Sequence, residues 1–130
     1  MKAAIRMANR QTRGQQRIKV VLAGKVAAKA VDDLRALIKV PAEISAFPVN
    51  REDPRMLKAL AAADVVVGHF FTEGMARAAR NLKLLQAPNA GIDAYRMDLL
   101  STRTTVANAY FHGPAIAEYV AMMVLSLSRN

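Results

Sequence analysis

Two histidines, His69 and His112, are the imidazoles from which acid–base or metal chemistry could be built here. They lie far apart in the chain, and neither belongs to an H-E-x-x-H pair, so no metal site is expected. With no Cys there is no thiol nucleophile, thiolate zinc site or disulfide framework. Gly24-Lys25 is followed by Val26, which leaves the G-x-x-x-x-G-K-[ST] phosphate cradle incomplete. No G-x-G-x-x-G follows an apolar run, and no G-x-S-x-G elbow presents a serine. No catalytic or cofactor-binding residue is therefore expected within this chain. What remains is a set of polar or Gly-bearing stretches that directly follow apolar runs. They are Ala23-Gly24, Gly68-His69-Phe70-Phe71, Pro88-Asn89-Ala90-Gly91 and Asn108 to Gly113.

The apolar runs read as strands. Ile18 to Ala23 is β-branched and stops at Gly24, Glu43 to Phe47 alternates, and Asp64 to Gly68 is almost wholly apolar. Leu82 to Ala87 and Thr104 to Asn108 complete five. Between them the spacing predicts helices. Residues 26–38 place Val26, Ala30, Leu34, Leu37 and Ile38 on one stripe. Asp53-Pro54 is an N-cap followed by Pro at the first helical position, opening a helix to about Ala62. Thr72 is positioned to cap a helix to about Arg80, against which Gly74 counts. A short helix is expected from Asp93 to about Leu100. Strands apolar on both faces that alternate with helices imply a flavodoxin-like α/β fold, a doubly wound parallel sheet of about five strands. In such sheets ligands bind outside the carboxyl ends of the strands, where the four stretches above fall.

The chain has 130 residues, 53% of them hydrophobic, which suffices for one core of usual size. Its net charge of +9 is unevenly placed. Residues 1–17 carry Lys2, Arg6, Arg10, Arg13 and Arg17 with no acid, whereas the remainder has 14 basic and 10 acidic residues. The leader offers no aromatic to stack bases and no block of charge, so it reads as a disordered extension and nucleic acid is not the expected partner. Were nucleic acid bound there, retention would be salt-sensitive and lost on deleting residues 1–17. The lack of Cys fits a reducing compartment, and a cytoplasmic location is expected.

Residues Ala115 to Leu127 form a helix that is apolar nearly all the way round, relieved by Glu118, Tyr119 and Ser126. At 13 residues it is too short for a bilayer, which takes about 20. A helix apolar on every face needs cover on every face, either from a second copy or from more of its own protein.

Several motifs in order carry a resemblance. Asn81-Leu-Lys-Leu-Leu-Gln-Ala-Pro-Asn-Ala-Gly-Ile-Asp93, then Met97-Asp98-Leu99, Thr105-Val106-Ala107-Asn108 and Ala115-Ile-Ala-Glu-Tyr-Val120 resemble the amino-terminal part of the D-isomer-specific 2-hydroxyacid dehydrogenases. The closing stretch from Ala115 is similar to the corresponding segment of NAD-dependent formate dehydrogenases. The resemblance implies that 18–111 is a flavodoxin-like substrate domain and 112–130 the crossover helix that begins a Rossmann NAD-binding domain. It further implies a homodimer through the Ala115–Leu127 helix, and a cofactor, NAD or NADP, held outside this stretch together with the family's catalytic Arg, Glu and His.

Residue by residue, Asn89, Ala90 and Gly91 match the loop whose backbone N–H groups hold the substrate carboxylate. A Gly at a strand end lets backbone donors approach an anion closely, which suits that role. Asp93 matches the acidic residue just beyond, where a helix cap is its simpler role. Gly68, His69 and Phe70 fall in the other substrate-facing loop. An aromatic there, Phe70 or Phe71, either shapes an apolar pocket or is core. His112 stands where many members carry Asn; it donates to the substrate or caps the following helix. Asn108 is placed to face the cleft, and Glu118 matches the Glu of the family's A-E-H segment, needing a partner if buried. His69-Phe-Phe-Thr-Glu-Gly74 does not reproduce the formate-type signature intact. The expected function is hydride transfer between NAD and a small 2-hydroxy or 2-oxo acid or formate in a complete enzyme, with this chain inactive alone. The alternative is a stand-alone non-catalytic module that dimerises through its last helix.

Overall fold

A computed structural model describes residues 17–129, so the reading of the leader lies outside the described residues except at Arg17. Five strands form one sheet: β1 (Ile18–Ala23), β2 (Ala42–Phe47), β3 (Val65–Gly68), β4 (Leu84–Gln86) and β5 (Thr105–Ala107). Their order is β2-β1-β3-β4-β5 and every pairing is parallel. This is the doubly wound flavodoxin-like arrangement expected from the apolar runs. The chain moves outward from β1 to β2, then crosses back to β3 on the other side of β1. The strand order therefore reverses between β1 and β3, whose last residues, Ala23 and Gly68, are in register.

Alternation along β1 assigns its side chains to two layers. Val20 and Leu22 join Ala27 on one face, with Val31, Leu34, Ile44 and Val67 packed around them. Val21 and Ala23 face the larger core, which holds Met56, Leu60, Val66, Phe71, Met75 and Leu85. Helices α3 (Pro54–Leu60) and α4 (Glu73–Ala78) cover that second face. Asp53 caps α3 by accepting the Arg55 N–H at 2.8 Å, and Thr72 caps α4 through the Met75 N–H at 3.3 Å. A Cβ at Gly74 would meet the far end of the flexible Glu52 side chain, whose carboxylate accepts from the Thr72 hydroxyl at the head of α4.

Two expectations fail. The single helix over 26–38 is two, α1 (Lys25–Lys29) and α2 (Val31–Leu37), broken at Ala30, where φ is −82° and ψ is 6°. The break turns the stripe, leaving Val26 and Leu37 exposed while Ala27, Val31 and Leu34 meet the sheet. Asp93 to Leu100 is not a regular helix either; it holds one 3-10 turn, Met97–Leu99. Asp93 caps nothing among the described residues. Tyr95 is drawn into the core instead, and the Arg96 N–H bonds the Phe71 carbonyl at 3.4 Å.

The opposite, amino-terminal edge of the sheet is knitted by Asp64. Its carboxylate accepts the Lys19 N–H at 2.9 Å and pairs with Lys83 at 2.8 Å. The Lys19 hydrogen bond first, then that from Lys83, hold the carboxyl below its ordinary value. A depressed folded-state value means the stabilisation is present above the unfolded Asp value, about pH 4, and is lost as pH falls through the folded one. Asp64→Asn is therefore expected to be less stable than the parent in urea unfolding at neutral pH. That difference should narrow as pH falls through the lowered folded-state value, where Asp64 too becomes uncharged. A gap independent of pH contradicts the charge-based account.

Helix α5 (Gly113–Leu127) follows β5 through Asn108 to His112. None of its residues is buried.

Candidate functional site

Gly24, Gly68, His69, Phe70 and the Asn89–Gly91 loop gather at the carboxyl ends of β1, β3 and β4. Gly24 has φ 103° and ψ 157°, a conformation essentially confined to glycine. A Cβ there would also lie 3.2 Å from Asn50 Oδ1 and 3.4 Å from the Phe70 ring. Asn50 Oδ1 in turn accepts the Lys25 N–H at 2.9 Å, fixing the exit from β1. At Gly68 the constraint is proximity: a Cβ would stand 3.0 Å from the Ala23 carbonyl. Small residues at the reversal point thus let β1 and β3 approach closely. His69 beside them is exposed, Phe70 half-buried, and Phe71 fully buried in the core. Of the two aromatics, Phe70 is the one that can border a ligand.

The Asn89–Gly91 loop is held carbonyl by carbonyl. The Ala109 N–H donates to the Asn89 carbonyl at 3.3 Å, and Asn108 Nδ2 donates to the Ala90 carbonyl at 2.8 Å. Asn89 Nδ2 donates to the Gly91 carbonyl. No peptide bond is cis among the described residues, so each N–H points opposite to the carbonyl of its own peptide plane. The N–H groups of Ala90, Gly91 and Ile92 are therefore turned away from the donors that hold the loop. Among the described residues none of the three has a protein acceptor. Gly91 is exposed, and a Cβ there would meet only Asp93 Oδ2, 3.9 Å away. A loop whose carbonyls are occupied and whose N–H groups are open presents donors to an anion.

Tyr95 joins the two loops. Its hydroxyl lies 2.7 Å from the Gly68 carbonyl and 3.1 Å from Asn89 Oδ1, with the residue only 6% exposed. Burial raises the phenol above its ordinary value, against the opposing pull of the Asn89 hydrogen bond, so it is a protonated donor at neutral pH. Sequence reasoning missed Tyr95, since it reads as one polar aromatic within an expected helix. The Arg96 guanidinium next to it is held by Asp98 at 2.7 Å and Glu73 at 2.8 Å, and these acids raise its basicity. Neither Asp93 nor Arg96 is drawn into the loop.

His112 and Glu118 both lie on the surface. His112 occupies the position before α5, exposed and in αR conformation, with no side-chain cap, so capping is not its role. It makes no hydrogen bond to either loop among the described residues. Glu118 is exposed on α5. No cluster that could ligate a metal occurs among the described residues.

Comparison with known proteins yields a fold and no family. No protein-family model matches the chain, and no curated protein is similar to it. Its structure is similar to that of phosphoglycerate oxidoreductase from Vibrio cholerae o395, at a TM-score of 0.56 and 16% sequence identity. The match covers 85% of this chain and 37% of that one. No described helix is long and apolar enough to cross a membrane.

Proposed function

We propose that residues 18–111 are the substrate domain of a D-2-hydroxyacid dehydrogenase and 112–130 the first helix of its NAD-binding domain. The observation that carries this is the Asn89–Gly91 loop, whose N–H groups lie open at the carboxyl edge of a doubly wound sheet. The oxidoreductase of similar fold supports it. NAD held by the rest of such an enzyme would supply or accept a hydride at the alpha carbon of a small 2-hydroxy or 2-oxo acid. The described residues of this chain form no dinucleotide cradle. Their part is to bind and orient. The N–H groups of Ala90, Gly91 and Ile92 take the carboxylate, and Phe70 borders the carbon chain. His69 is placed to donate a hydrogen bond from the other side.

Gly91→Ala tests the reading. Gly91 needs no positive φ, and a methyl group there makes only an ordinary contact with Asp93 Oδ2 at 3.9 Å, so stability should change by less than about 1 kcal/mol. A ligand on the neighbouring N–H groups would meet that methyl. Loss of one charge-assisted hydrogen bond weakens D-glycerate binding about ten-fold or more. Isothermal titration of parent and variant decides it: no carboxylate binding by the parent, or equal binding by both, removes the site. The chain alone is expected to form no NADH with D-lactate, D-glycerate or formate, and reproducible NADH formation overturns that expectation.

A second reading, a non-catalytic module that pairs through α5, is favoured by the exposure of that helix along its whole length.

A further inference from the structure

The Tyr95 hydroxyl is a single donor facing two acceptors on different loops. Gly68 ends β3 and begins the His69–Phe70 loop; Asn89 begins the loop after β4. The Asn89 amide can face Tyr95 only one way. Its nitrogen is committed to the Gly91 carbonyl, and turning the group over would set Oδ1 against that carbonyl, acceptor against acceptor. The end presented to Tyr95 is therefore the oxygen, and the phenol must donate. The one phenolic proton is shared between the two acceptors, with the Gly68 carbonyl the nearer, and the Asn89 carboxamide in turn donates to the Gly91 carbonyl. Through the planar peptide the last of these sets the direction of the Ile92 N–H. The phenol is buried, so water does not replace it freely.

We infer that Tyr95 is a positioning residue, which through its hydroxyl couples the His69–Phe70 loop to the loop that presents N–H groups to a carboxylate. The inference rests on the carboxylate reading above for its functional meaning, while the coupling itself rests on the hydrogen-bond chain. The ring has a separate role as part of the core. Removing the oxygen alone should thus free both loops without emptying the core. Removing the Asn89 amide should free only the second loop, because Tyr95 keeps its shorter bond to Gly68. A tyrosine that merely fills space predicts no change in either loop when its oxygen alone is removed.

Backbone 15N relaxation by NMR tests this on the whole 130-residue chain, with and without D-glycerate, because it reads the mobility of an amide whether or not that amide is hydrogen-bonded. In Tyr95→Phe, order parameters of 68–71 and 89–92 should fall from about 0.85 toward about 0.6. In Asn89→Ala they should fall in 89–92 and not in 68–71. D-glycerate should raise them in 89–92 of the parent and do so less in Tyr95→Phe. Unchanged order parameters of both loops in Tyr95→Phe overturn the coupling. So does loosening of 68–71 in Asn89→Ala equal to that in Tyr95→Phe. A parent whose loop ignores D-glycerate removes the carboxylate reading, and the mobility of the variants still decides the coupling. Tyr95→Phe keeps the ring, so its failure to fold also overturns the inference.

Discussion

Phe71→Ala should cost about 3–5 kcal/mol of unfolding free energy, the range for emptying an aromatic site in a core. Phe71 is 1% exposed, among the largest fully buried side chains, and belongs to the cluster with Met56, Leu60, Met75 and Leu85. Three elements would lose contacts with it: the sheet, α3 and α4. Its carbonyl also receives the Arg96 N–H, so collapse around the cavity pulls on the segment that carries Tyr95. A domain of this size commonly has about 5–15 kcal/mol in hand, so the variant should sit near the edge of folding. Phe70→Ala should cost clearly less, since that ring is half-buried and closes over Gly24 at the rim. Urea unfolding of the two variants side by side measures the contrast. A loss below about 1 kcal/mol for Phe71→Ala, or a larger loss for Phe70→Ala, contradicts the assignment of Phe71 to core and Phe70 to the site.

That division between adjacent aromatics could not be read from the sequence, and the reason is general. The strands were legible because most are short apolar runs with a Gly, Pro or Asp close to one end, and parallel burial on both faces demands such runs. The caps at Asp53 and Thr72 were legible because their partners lie two or three residues away. What escaped depends on partners far along the chain. Tyr95 finds Gly68, Asn108 finds Ala90, and the Glu52 carboxylate occupies the space that Gly74 leaves. The same long-range capture explains the missing helix after Asp93. Tyr95 in the core and Arg96 tied to Phe71, Asp98 and Glu73 fix a backbone path that regular helix would not follow. The break at Ala30 is likewise tertiary, because the spacing of apolar residues places Val26 and Leu37 on the stripe while the sheet accepts Ala27, Val31 and Leu34. At the candidate site, the position of the Asn89–Gly91 loop followed from strand order. The direction of its N–H groups followed only from the donors that hold its carbonyls.

If α5 pairs as proposed, the Val120→Glu, Val124→Lys double variant should be a monomer where the parent is not. In α5, Ile116, Val120, Val124 and Leu127 are all more than half exposed, as are Tyr119, Met122 and Leu125 around the helix. So much contiguous apolar surface is uncommon on a monomer and marks an interface. Burying one Val side chain is worth about 1.5–3 kcal/mol. In an isologous pair each substitution acts twice, so two substitutions remove about 6 kcal/mol or more, upward of ten-thousand-fold in the association constant. Glu placed four residues before Lys is the favourable helical order, so the variant keeps its helix while losing its apolar face. Size-exclusion chromatography with light scattering reads the outcome. A parent running as a defined dimer, with the variant monomeric, supports pairing of α5 with a second copy. A parent that aggregates, with the variant soluble and monomeric, supports an interface whose complement lies in another domain. A monomeric parent, or an unchanged mass in the variant, means that the apolar face of α5 holds nothing together.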